Sequence, residues 1–86
     1  MRVPVPDKML DRLGGSSFAM KRAERYWGEV VWEQHSIYKN HAILRAYHID
    51  TGKPCALYGF IQAGEVFIVR ENLQGIKDEI SRVVEC

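Results

Sequence analysis

The sequence predicts an α+β fold: an antiparallel three- or four-stranded meander with N-terminal and C-terminal helices packed on one face. Three observations lead there. Between His41 and Arg70, short runs rich in apolar and aromatic residues are broken by turn residues. On either side, residues 16–28 and 72–84 carry apolar side chains at helical spacing. The length, 86 residues with 47% hydrophobic and 27% charged, suits one folded core and leaves no room for a second. Residues 1–86 are therefore read as a single domain.

The chain opens with an extended arm, because each proline of Val3-Pro4-Val5-Pro6 steers its predecessor away from the helical region. Asp7 caps a short helical turn carrying Met9, Leu10 and Leu13, which Gly14-Gly15 ends, so that 1–15 is arm and turn. Ser16 or Ser17 caps a helix over 16–28, with Met20, Ala23 and Trp27 on one side and Lys21, Arg22, Glu24 and Arg25 on the other. Gly28 stops it, and the Val30-Val31-Trp32 run favours a strand from Glu29 to about His35. The rival is a helix that continues through residues 29–36. Ala42–Ile49 and Pro54–Gln62 form a hairpin around Asp50-Thr51-Gly52-Lys53, and a tight Ala63-Gly64 turn leads to a strand over Glu65–Arg70. Strands thus occupy 29–70. Asn72 caps the last helix, with Leu73, Ile76, Ile80, Val83 and Val84 on one face and Asp78 and Arg82 on its wet side.

Charge and composition exclude some functions. Twelve basic against eleven acidic residues leave +1, too little for a strong overall field toward nucleic acid or an acidic membrane. The charge is uneven: residues 1–28 carry +3 and residues 29–86 carry −2. No apolar run approaches the ~20 residues of a spanning helix, and Met1–Pro6 lacks a secretory signal. Two cysteines, Cys55 and Cys86, make no disulfide framework, so a cytoplasmic location and two unlinked thiols are expected.

Register then sorts the strand residues onto faces. If Ile49 opposes Pro54 and the second turn has two residues, one face gathers Ile43, Arg45, Tyr47, Tyr58, Phe60, Phe67 and Val69. The other gathers Ala42, Leu44, Ala46, Leu57, Gly59, Ile61, Val66 and Ile68, an aliphatic surface suited to helices. The aromatic face is then bare, and contiguous exposed apolar surface marks an interface. Two rival readings compete: the N-terminal segment folds back over it, or the register is displaced by one residue.

No catalytic, cofactor or metal motif is present. His48 and Cys55 oppose each other, but zinc takes four ligands, and His41 falls on the other face. A buried thiol near a strand-end histidine is the plainer account, and a Cys–His nucleophile would lack an open pocket. Glu24, Glu29 and Glu33 are not placed across a cleft. Gly14-Gly15-Ser16-Ser17 before a helix reads as ordinary loop rather than an anion site. Arg45 among tyrosines suggests a platform for unstacked bases, without a ribonucleoprotein signature. The expectation is a small non-catalytic interaction module, a homo-oligomer of two or more copies joined through Ile43, Arg45, Tyr47, Tyr58, Phe60, Phe67 and Val69. It needs no cofactor and no membrane. The alternatives are single-stranded nucleic-acid binding on the same face together with the basic helix, and a small-ligand or enzymatic pocket between subunits.

Overall fold

The computed structural model describes residues 2–63 and 65–85. A 3-10 turn at Asp7–Arg12 precedes strand β1 (Leu13–Gly15) and helix α1 (Ser17–Tyr26), and a second 3-10 turn spans Trp27–Glu29. Strands β2 (Val30–Tyr38), β3 (His41–His48), β4 (Pro54–Gln62) and β5 (Val66–Arg70) follow, and helix α2 (Leu73–Glu85) closes the chain. They form one five-stranded sheet in the order β1-β5-β4-β3-β2, antiparallel throughout except that β1 runs parallel to β5. The fold is α+β with a mostly antiparallel sheet.

Local chemistry accounts for the element ends. Ser16 Oγ accepts from Ala19 N (3.1 Å) at the start of α1, and Asn72 Oδ1 accepts from Gly75 N (2.6 Å) at the start of α2. Lys39 and Asn40 both have positive φ (49° and 66°), joining Tyr38 to His41 by a two-residue hairpin of the type whose twist suits antiparallel strands. Residues 29–36 are thus not a continued helix: after a 3-10 turn the chain is strand from Val30 to Tyr38.

Four expectations need correction. The sheet has five strands, because Leu13–Gly15, expected to end a helical turn, pairs with β5. Gly15 makes that possible: its φ is +111° and a Cβ there would lie 2.0 Å from the Val69 carbonyl oxygen. Tyr47, not Ile49, aligns with Pro54, through an irregularity between Arg45 and Tyr47.

The third correction governs the faces. Gln62 pairs with Val66, so the β4–β5 loop holds three residues rather than two; Glu65 has φ 63°, and Gly64, half of the expected turn, lies outside the described residues. One added loop residue moves every β5 side chain to the opposite face. Phe60 now neighbours Ile68, and Phe67 and Val69 join Leu57 on the far side.

Finally, the helices lie on opposite faces of the sheet. On one face α1 and the N-terminal arm cover Trp32, Leu44, Ala46, Leu57, Phe67 and Val69. On the other, Ile76 and Ile80 of α2 close over Ile43, Phe60 and Ile68. Both cores are aromatic at the centre. Phe67 takes the edge-to-face contacts of Trp32 (4.8 Å) and Trp27 (5.8 Å), while Phe60 meets His41 edge-on at 5.8 Å.

Candidate interaction surface

Neither helix covers the whole of its face. On the face packed by α2, Ile43 and Phe60 are buried, with Tyr38 and Tyr58 packed half-buried against them; Arg45 and Tyr47, beside Tyr58, are also only half-buried. On the α1 face, Val30, Trp32 and Ala46 are covered, and the β2–β3 hairpin end is bare. Each helix thus leaves part of its own face open.

The open area on the α1 side is apolar. Ile37 pairs directly with Ala42, which lines a shallow groove with Leu44 and Ile61. Ile37 is 66% exposed and Ile61 39%, and Ala42 is exposed between them. Val3 of the arm borders this strip, held to the outer edge of β2 by its N–H donating to the Trp32 carbonyl at 2.7 Å. Gln34 and Asn40 supply a polar margin. The sequence predicts Ala42 and Ile61 on the face covered by helices and predicts no face for Ile37; in the structure all three are exposed. The Lys39-Asn40 turn, which carries no glycine, gives little sequence signal for where Ile37 falls.

The open area on the α2 side is polar and partly self-contained. The Arg45 guanidinium carbon lies 5.0 Å from the Tyr58 ring centre and 6.0 Å from that of Tyr47, and His35 meets Tyr58 edge-on at 5.5 Å. Among the described residues, Arg45 Nε is buried without a hydrogen-bond partner, next to two rings that offset part of its desolvation. Of the seven residues expected at an interface, Arg45, Tyr47 and Tyr58 come together here. Ile43, Phe60, Phe67 and Val69 do not: all four are fully buried within the chain, in two cores on opposite sides of the sheet. The basic helix lies on the α1 side, so the combined platform of Arg45, the tyrosines and that helix does not exist.

Three peripheral groups are shifted by their partners. The Glu71 carboxyl is held below its ordinary value, first because the Ser16 hydroxyl donates to it at 2.8 Å and then by its own backbone N–H, with Arg70 and Arg22 adding to the effect. Lys8, 2.9 Å from Glu65, lowers that carboxyl, and Glu85 raises Lys39 through a 3.1 Å contact. Among the described residues no three of His, Cys, Asp and Glu gather as metal ligands. His48 instead stands edge-on to Tyr26 at 5.5 Å, and Cys55 is buried in the α1-side core; Cys86 lies outside the described residues.

No family model matches this chain. No curated protein and no solved structure matches it significantly either. Function has to be read from the surfaces themselves.

Proposed function

We propose that the chain is a small non-catalytic interaction module that pairs with a second copy of itself through the Ile37–Ala42–Ile61 strip. The observation that supports this reading is an apolar strip on a strand surface that neither helix covers. Full burial of an isoleucine is worth roughly 1.5–3 kcal/mol, so two partly exposed isoleucines and an alanine offer a few kcal/mol per subunit as an upper figure. The Arg45–Tyr47–Tyr58 area offers less, because its rings are half-buried and already in contact with a guanidinium. An apolar centre inside a polar margin is the anatomy of a protein interface. A two-fold axis would set the strip against its own copy, in the way two sheets stack face to face.

The two open areas can be tested against each other. Ile37→Lys puts a charge into the strip at a residue the fold scarcely uses, and Arg45→Glu alters the other side. Light scattering after size-exclusion chromatography should give a monomer for Ile37→Lys and the wild-type mass for Arg45→Glu. A monomer from Arg45→Glu alone would move the interface to the tyrosine side, and equal masses for all three proteins would remove the strip from it.

A further inference from the structure

The outward face of α1 brings an exposed aromatic ring together with a cluster of cations, and it takes no part in the proposed pairing. Phe18, Lys21, Arg22, Arg25 and Tyr26 line one shallow groove along the helix. Their spacing brings them together, since residues three and four apart share a helix face. Phe18 is 61% exposed, although phenylalanine is ordinarily a core residue. The Arg22 guanidinium carbon lies 5.2 Å from the Phe18 ring centre, and that of Arg25 lies 5.4 Å from Tyr26. Among the described residues, Lys21, Arg22 and Arg25 form no ion pair. Glu24 flanks the stripe in sequence, and Arg22 adds slightly to the lowering of the Glu71 carboxyl.

We propose that this face of α1 binds single-stranded nucleic acid, with the three cations on the phosphates and Phe18 stacking on a base. Contact with the rings restrains the guanidinium groups before binding, which reduces the ordering cost of contacting a phosphate. An exposed ring flanked by cations supplies both parts of sequence-tolerant single-strand recognition, a stacking surface and backbone charge. An acidic peptide would use the cations and leave the ring without a role. A membrane surface would need a broad apolar helix face, and here a single exposed phenylalanine stands among charges. With a net charge of +1, attraction comes from the patch and not from the whole molecule, so affinity is modest and salt-sensitive.

The test is fluorescence anisotropy with a labelled oligothymidylate at several salt concentrations. Three phosphate contacts predict a log–log salt slope of about −2. Arg22→Gln with Arg25→Gln should weaken binding at least tenfold and bring the slope to about −0.7. Phe18→Ala should weaken binding roughly tenfold with the slope unchanged, as loss of a stacked base does. Each variant's thermal melt, followed by circular dichroism, shows that it is folded. No binding at low salt overturns the proposal. So does binding that survives the double substitution, or a polyglutamate peptide that binds as tightly as the oligonucleotide and is indifferent to Phe18→Ala. These outcomes are independent of the protein's mass in the absence of nucleic acid, so this proposal and self-pairing can fail separately.

Discussion

At the scale of single residues, Phe67 and Gly59 show how one position decides another. A Cβ at Gly59 would sit 2.5 Å from the Phe67 ring, which lies across β4 there and is fully buried. The ring cannot retreat, because Trp27 and Trp32 hold its other sides. Gly59→Ala should therefore cost about 1–3 kcal/mol as overpacking, and Phe67→Ala about 3–5 kcal/mol as a cavity. Urea denaturation of the two variants checks both values; a neutral Gly59→Ala would mean that the ring does not rest on this backbone. Gly59 is legible in the sequence as a point of close approach. Which group approaches is not, because that depends on which face Phe67 takes, and a three-residue loop with Glu65 in the left-handed region reverses it.

Helices and strands as units were the most readable layer. The last helix follows from Leu73, Ile76, Ile80 and Val83 at helical spacing behind an asparagine cap, and it runs Leu73–Glu85. Asn72→Ala should lower stability by about 1 kcal/mol through loss of the 2.6 Å bond to Gly75 N, measurable as a shift of the denaturation midpoint. β4 was legible to the residue, since proline and a turn delimit it. β1 was not, because three residues ending in two glycines carry no strand pattern and gain their hydrogen bonds only once β5 is beside them.

The two helices are also tied together electrostatically. Ser16, which caps α1, donates to Glu71, just before α2. The lowered Glu71 value means that its contribution is fully present above the unfolded glutamate range, near pH 4.3, and is lost as pH falls through the lower folded value. Glu71→Gln should accordingly flatten the loss of stability below about pH 5. Parallel loss in wild type and variant, followed by urea denaturation across that range, would show that the contact contributes nothing.

For the molecule as a whole, the sequence leads to two helices and a mostly antiparallel sheet but not to their arrangement. The aliphatic face had the stronger claim on both helices only while Phe67 and Val69 were assigned to the other side. Once the register divides the large side chains evenly, each face has a core of its own and takes one helix. The same division dissolves the bare aromatic face and leaves a smaller, aliphatic opening at the β2–β3 hairpin. That opening was hidden in the sequence because its members come from three strands and Ile37 lies just before a turn without glycine.

Self-pairing through that opening is the central claim, and sedimentation velocity on the wild-type chain over a wide concentration range tests it most directly. The wild type should shift from monomer to dimer as concentration rises, while Ile37→Lys stays monomeric with an unchanged thermal melt. A wild type that remains monomeric at the highest concentration, or a dimer that Ile37→Lys and Ile61→Lys both leave intact, would contradict it.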